Sequence, residues 1–346
     1  MSRSTRSSRR RKGSGAAGTF LSIFVIALGL AGLGAWFVLT PYGPASEHLI
    51  RIAPGSSTPR IGRELEQAGI VRNRYAFDLL RIILRGTLQA GEYRFDHPAP
   101  VTEVYSRIAR GDVYTVALTV PEGADVFAVA ARAQQAGLCT REAFFKAVLG
   151  QTALIADLDP QARSLEGYLF PDTYRFSPPV SPVQMVQTMV RRFRSVARRL
   201  GMTGDIHRVV TLASLVERET AVPSERPLVA SVFTNRLAKN MPLMSDPAVI
   251  YGLELEGRWR GVIYKSDLAR DTAYNDYLHA GLPPGPIANP GAPSLEAALH
   301  PAKTDYLYFV AADKNPQGHS LFSSTLDEQI RNVAAYRNAV KRAGAQ

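Results

Sequence analysis

Val116-Ala-Leu-Thr-Val-Pro-Glu-Gly-Ala-Asp-Val126 reads as a short strand, a proline and glycine turn and the start of a helix, and the same plan occurs 68 residues earlier. Gly55 corresponds to Gly123, Ala68-Gly69-Ile70 to Ala136-Gly137-Leu138, and Phe77 to Phe145. In both places the helix closes on an Ala-Gly pair, where glycine supplies the left-handed position that ends a helix. A weaker echo pairs Glu92-Tyr-Arg-Phe95 with Thr173-Tyr-Arg-Phe176, each followed by a proline-containing turn and an apolar helix. These matches predict a duplicated β/α module whose copies support each other's packing. The alternative is two similar units produced by common turn chemistry.

The chain has 346 residues, 46% apolar and 21% charged, which suffices for one or two sizeable cores and excludes a wholly disordered chain. The formal net charge is +11, but Arg3, Arg6, Arg9, Arg10, Arg11 and Lys12 supply six of those charges in a tail without a single acid, leaving +5 elsewhere. An uncharged run from Thr19 to Thr40 follows. At about 1.5 Å per residue it reaches roughly 33 Å, enough for a hydrocarbon core of about 30 Å. The basic flank predicts a cytoplasmic N-terminus, with everything from Pro41 onward outside. Topology thus accounts for the basic tail, and no nucleic acid partner is expected. A cleaved signal peptide would have an apolar core of only about 7–15 residues, so an uncleaved anchor is expected, with Ala45 the place a cleavage would fall. Cys139 is the lone cysteine, which rules out an intramolecular disulfide. The six histidines are scattered without metal-ligand spacing, so neither a metal site nor a cofactor is expected.

Chemistry concentrates in Ala213-Ser-Leu-Val-Glu-Arg-Glu-Thr-Ala-Val-Pro-Ser-Glu-Arg226. Residues 205–220 read as a helix with Val209, Leu212, Ala213 and Val216 as its buried stripe. Ser224 is a plausible N-cap for a further helix over about 228–237, with Pro227 tolerated in its first turn. A half-buried carboxylic acid keeps its proton toward neutral pH, the property needed to protonate a glycosidic oxygen. Glu217 and Glu219 lie about 200° apart on the wheel and flank the stripe at similar angles, so periodicity leaves the choice between them open.

Further segments accompany this one: Ser164-Leu-Glu-Gly-Tyr-Leu-Phe-Pro-Asp-Thr-Tyr174, Ser245-Asp-Pro-Ala-Val-Ile-Tyr251, Thr272-Ala-Tyr-Asn-Asp-Tyr277, Gly281-Leu-Pro-Pro-Gly-Pro-Ile287, His300-Pro-Ala-Lys303 and Tyr306-Leu-Tyr-Phe-Val310. In this order the chain resembles the MltG (YceG-like) family of endolytic murein transglycosylases, most densely over 164–325. The resemblance implies an α+β protein with a basic cytoplasmic tail (1–18), a transmembrane helix (19–40), a LysM-like module (41–115), a second repeat-like β/α module (116–163) and a transglycosylase catalytic domain (164–346). It implies a single-pass inner-membrane lyase that cuts peptidoglycan glycan strands between N-acetylmuramic acid and N-acetylglucosamine and leaves a 1,6-anhydro end, so ending strand elongation. Penicillin-binding proteins or other cell-wall synthases are the implied protein partners.

The resemblance also selects the acid: Glu219, directly followed by Thr220. Glu217 could raise the pKa of Glu219 or pair with Arg218 or Arg226. Glu166 is expected near the cleft or else as a turn former. Tyr251, Tyr274, Asn275 and Tyr277 suit a saccharide cleft, and Gly281–Ile287 suits a rigid wall. Asn235, Asp246 and His300 fall on family positions without assigned roles. Arg191, Arg192, Arg194, Arg198 and Arg199 cluster on a predicted helix over 183–200 and read as a solvated face, with anionic lipid or peptide-stem carboxylates as alternative occupants. The rival functions are a glycan-binding scaffold without catalysis and a water-using muramidase with Glu166 or Asp246 as the second carboxylate.

Overall fold

A computed structural model describes residues 15–313 and 318–343; Arg3 to Lys12 of the expected tail lie outside the described residues. The chain divides into two compact units, Met1–Thr115 and Val116–Gln346. The first begins with α1 (Gly15–Leu39). Its residues Thr19–Leu39 form a predominantly apolar stretch of 21 residues, none of them buried over the apolar window, long enough to cross a membrane, and only its C-terminal end, at Val38, packs against the core of this unit.

The remainder of the first unit is β1 (His48–Ile52), α2 (Thr58–Gln67), α3 (Arg74–Leu84), β2 (Gly91–Phe95) and α4 (Val101–Arg110). β1 and β2 pair antiparallel, with His48 opposite Phe95 and Ile52 opposite Gly91. Side chains alternate across a strand, which turns Ile50, Ile52, Tyr93 and Phe95 inward onto Leu65, Phe77, Val104 and Ile108.

The second unit opens with the same order: β3 (Val116–Val120), α5 (Val126–Gln135), α6 (Arg141–Gly150), β4 (Asp172–Phe176) and α7 (Pro182–Arg199). β3 pairs antiparallel with β4, Val116 opposite Phe176 and Val120 opposite Asp172. The helix ends also match. Gly69 and Gly137 adopt φ of +69° and +71°, and the amides of Ile70 and Leu138 reach back to the carbonyls of Leu65 (2.9 Å) and Ala133 (3.0 Å), the Schellman closure. Each of the two units that contain the copies closes its own apolar core. The reason is topological: each copy owns both strands of its two-stranded sheet. Residues 116–163 therefore share a sheet and a core with the segment that follows them.

That segment adds α8 (Ile206–Glu219), α9 (Arg226–Ala238), α10 (Asp246–Leu255), α11 (Lys265–Leu268), α12 (Ala292–Leu299), the hairpin of β5 (Tyr308–Ala311) and β6 (Ser320–Ser323), and α13 (Leu326–Ala343). α9, α10 and α12 pack around α8. Burial on α8 consequently runs from Val210 through Val216 without a break, instead of the single stripe that periodicity suggests, and Val209 is only half-buried. Of the polar side chains inside, Ser214 Oγ donates to the Thr211 carbonyl (2.7 Å) and accepts from the Ile287 amide (3.0 Å), whereas the buried Thr211 hydroxyl has no partner among the described residues.

Gly167 shows how tightly the turn after Glu166 is set. Its φ is +86°, and a Cβ there would lie 2.6 Å from Pro286 Cγ and 2.7 Å from Val210 Cγ1. Gly167→Ala combines left-handed strain with overpacking, each worth roughly 1–3 kcal/mol. We expect a fall in Tm of about 5–15 °C in a thermal melt, given about 2–4 °C per kcal/mol for a unit of this size.

Candidate active site

α8 ends at Glu219 because Thr220 turns to extended backbone (φ −139°, ψ 131°). The buried Thr220 hydroxyl accepts from the Val222 amide (3.1 Å) and lies 3.5 Å from Glu225 Oε2. Thr220 thus shapes the exit of the helix. Glu219 is left at the helix C-terminus, where the backbone dipole disfavours a negative charge.

Glu219 lines a cavity of about 230 Å³ with Phe233 and Arg236 of α9, Leu243, Asp246 at the start of α10, Tyr277 and Phe309 of β5. Ser245 Oγ donates to Glu219 Oε1 at 2.6 Å. Burial pushes the Glu219 carboxyl up to about 7 despite this hydrogen bond; nearby Asp246 pushes it further, and Arg236 and Arg218 pull it down. The Ser245 amide donates to Asp276 Oδ1 (2.9 Å). Asp276 is almost fully buried, its Oδ2 has no partner, and burial with the neighbouring Glu219 raises it to about 7 as well. Asp246 is exposed and accepts from the Tyr277 hydroxyl (2.7 Å). Arg236 is anchored by donating to the carbonyls of Leu307 (2.7 Å), Leu243 (2.6 Å) and Pro242 (3.3 Å). The cavity lining presents Glu219, a raised carboxyl oriented by a hydroxyl, beside the exposed carboxylate of Asp246 and the fixed cation of Arg236, with the raised Asp276 behind Ser245.

The two glutamates of α8 have separate surroundings. Glu217 accepts from Arg226 Nη2 (3.2 Å) and from the Gly291 amide (2.9 Å). Of the two readings left open for it, the pairing with Arg226 is the one seen, and it holds the start of α12. Glu166 is buried, accepts from the Val126 amide (2.9 Å) and Asn289 Nδ2 (3.0 Å), and is raised to about 8 by burial. It does not line the cavity of Glu219.

Several residues assigned to a saccharide cleft prove to be supporting parts. Asn275 is fully buried: Nδ2 donates to the carbonyls of Leu268 (2.9 Å) and Arg270 (2.7 Å), and Oδ1 accepts from the Tyr277 amide (3.1 Å). Its amide has nothing left for an acetamido group. Tyr251 is buried between Phe127 and Tyr274, with ring centroids 6.0 and 5.1 Å away, and lies beside Glu166. Asn235 Nδ2 donates to the carbonyls of Thr304 and Tyr306, both at 2.9 Å, tying α9 to the chain before β5. His300 is exposed at the end of α12 and outside the cavity. The sequence reading passed over Ser245, Asp276 and Arg236. Their available signal was adjacency to Asp246, Asn275 and Asn235. Among the described residues no group of three or more His, Cys, Asp and Glu side chains is placed to hold a metal ion.

Among the described residues, α-helices and three small antiparallel sheets form the scaffold, and the raised carboxyl of Glu219 at the end of α8, facing its cavity, makes this an acid/base site. A profile of the YceG-like family matches residues 50–335. An endolytic murein transglycosylase of Bacillus subtilis is 33% identical over 313 residues, covering 83% of this chain and 84% of that protein. Another, from Streptococcus pneumoniae, is 29% identical over 366 residues; the match takes in 92% of this chain but 65% of the longer relative. A crystal structure of a YceG-like protein from Listeria monocytogenes superposes with a TM-score of 0.54 at 31% identity, covering 83% of this chain and 99% of that one. The chain belongs to the YceG-like family.

The raised carboxyl has a thermodynamic signature. A glutamate in an unfolded chain loses its proton near 4.3, whereas Glu219 holds its proton to about 7. The folded state thus binds more protons between those values, and its stability falls as pH rises through that window. Glu219→Gln removes this term. We expect the variant to melt several degrees above wild type at pH 8 and at the same temperature at pH 4.

Proposed function

We propose that this chain is an endolytic murein transglycosylase with Glu219 as its single acid and base. One observation carries the reading: Glu219 is a carboxyl raised to about 7 and bonded by Ser245 in a cavity, and named endolytic murein transglycosylases align over most of the chain. The protonated Glu219 donates to the oxygen joining N-acetylmuramic acid to N-acetylglucosamine as positive charge develops at C1. The resulting carboxylate accepts the proton of the muramoyl C6 hydroxyl, whose oxygen closes on C1. The bond broken is C1–O of the glycosidic link, the bond formed is C1–O6, and no water is consumed. Two-carboxylate glycosidases need a second group to activate water or attack the sugar. Here Asp246 is the carboxylate exposed in the same cavity, and it supports the rival reading of a water-using muramidase. Glu166 is spent on Val126 and Asn289.

In the same reading the unit Val116–Gln346 is catalytic, and the β1–α2–α3–β2 part of the first unit is a LysM-like module between it and an inner-membrane anchor. The catalytic unit lies in the periplasm, ends growing strands and works beside penicillin-binding proteins or other synthases. Three features support this topology: the basic tail, the uncharged run, and the stacking of Arg72 on Trp36 and Tyr42 at the outer end of α1, both at 5.0 Å, where aromatic rings suit a membrane interface.

Mass spectrometry of digested strands tests the chemistry. Anhydro ends are expected; reducing ends would establish the muramidase, and intact strands the scaffold. Glu219→Gln should abolish cleavage, by at least about 10²–10⁴-fold, while Glu217→Gln acts mainly through stability. The activity should decline as pH rises through about 7, because the acid must hold its proton. A reporter that works only outside the cytoplasm, fused after Gln346, should be active in cells, and recovery of a mature N-terminus near Ser46 would overturn the anchor.

A further inference from the structure

α7 carries more positive charge than its own surroundings neutralise. Arg191, Arg194 and Arg198 recur at helical spacing on one face and line a recess of about 340 Å³ floored by Leu158, Ala197 and Met202. Arg194 is fixed by Asp157 Oδ1 (2.7 Å) and the Leu154 carbonyl (2.9 Å). The Arg191 guanidinium donates only to Thr188 Oγ1 of its own helix (2.8 Å), and among the described residues the Arg198 guanidinium makes no hydrogen bond or ion pair. The helix dipole accounts for cations in the last turn, and Arg198 lies there, but Arg191 does not. Arg191 also borders a second hollow of about 370 Å³, lined in addition by Gln187 and Thr188. An oriented guanidinium, two uncommitted ones, a small apolar floor and adjoining amide and hydroxyl groups match a short acidic peptide with small side chains. A recessed site of this kind suits a peptide end better than the flat surface of a lipid headgroup layer.

We propose that this recess binds the carboxylates of the peptides attached to the glycan, making it a substrate subsite remote from the reacting bond. The proposal rests on the murein reading of the function. Met202 borders the recess and Ile206 starts α8 four residues later. Fourteen residues of helix therefore separate the recess from Glu219, about 20 Å at 1.5 Å per residue. The subsite would select strands that carry peptides over strands that have lost them.

Binding is measured with the full chain in detergent, carrying Glu219→Gln so that strands stay intact, against glycan strands with their peptides and the same strands stripped by an amidase. Two partly exposed ion pairs correspond to a preference of about three- to tenfold for peptide-bearing strands, weakening as salt is raised. Arg191→Gln with Arg198→Gln should erase the preference and leave affinity for stripped strands unchanged; a melt checks the fold. Equal affinity of the parent chain for both strands overturns the proposal, as does an equal loss on both in the double variant. It is also overturned if the double variant keeps the preference but loses binding to phosphatidylglycerol vesicles, which would identify the face as a lipid contact. If the chain with Glu219 intact cuts neither strand while the binding preference persists, the transglycosylase reading fails and the subsite stands.

Discussion

The buried amide of Asn289 holds together three parts of the catalytic unit that are far apart in sequence. Its Nδ2 donates to the Ala124 carbonyl (2.8 Å) and to Glu166 Oε1 (3.0 Å), its Oδ1 accepts from the Leu169 amide (2.9 Å), and its backbone exchanges hydrogen bonds with Ala124 and Gly123, both at 3.0 Å. One side chain thereby joins the β3–α5 turn, the turn carrying Glu166 and the proline-rich segment that leads into α12. A buried amide with both donors and its oxygen engaged inside a core is stable only where every partner is present. The same segment supplies Ile287 to Ser214 and Gly291 to Glu217. The position of α8, and with it of Glu219, depends on this joint.

Buried acids therefore do two kinds of work in this unit. Glu166, Glu217 and Glu225 receive backbone amides: Val126, Gly291 and Ser320 respectively. Each uses a carboxyl group to close a loop onto a helix. Glu219 accepts only a hydroxyl and looks into a cavity. Two residues apart on one helix, Glu217 and Glu219 differ in what meets their oxygens: an arginine and a backbone amide hold Glu217, whereas Glu219 faces the cavity.

The duplicated module was legible because its signals are local: glycine at a helix end and a fixed offset report on backbone geometry that needs no distant partner. The motif singles out Glu219, and it is Glu219 that lines a cavity, while periodicity alone could not separate it from Glu217, since α8 is buried on nearly all sides and has no single apolar stripe. For Asn275 and Tyr251 the sequence could not separate a ligand group from a supporting one, for the opposite reason. An amide and a phenol next to a glutamate motif look like ligand groups until their partners, the Leu268 and Arg270 carbonyls for Asn275 and Glu166 for Tyr251, are located. Those partners follow from long-range packing. Asn289 escaped notice because nothing near it in the chain announces that it will meet Ala124 and Leu169.

Ser245 shows how a local rule and the site are linked. As N-cap of α10 its hydroxyl would ordinarily accept from the second or third amide of the helix. The second helical residue is Pro247, which has no N–H, and the third amide, of Ala248, is already bonded to the Ser245 carbonyl at 3.1 Å. The hydroxyl is thus free of capping and donates to Glu219, while the Ser245 amide is held by Asp276. Proline next to Asp246 removes the competing acceptor role, the buried Asp276 fixes the backbone, and the remaining freedom of the hydroxyl is spent on orienting one carboxyl. A donor on Oε1 also lowers the pKa that burial raises. The balance between burial and this hydrogen bond sets the protonation of Glu219 near neutrality, so the same contact that aims the carboxyl also limits how far its pKa can rise.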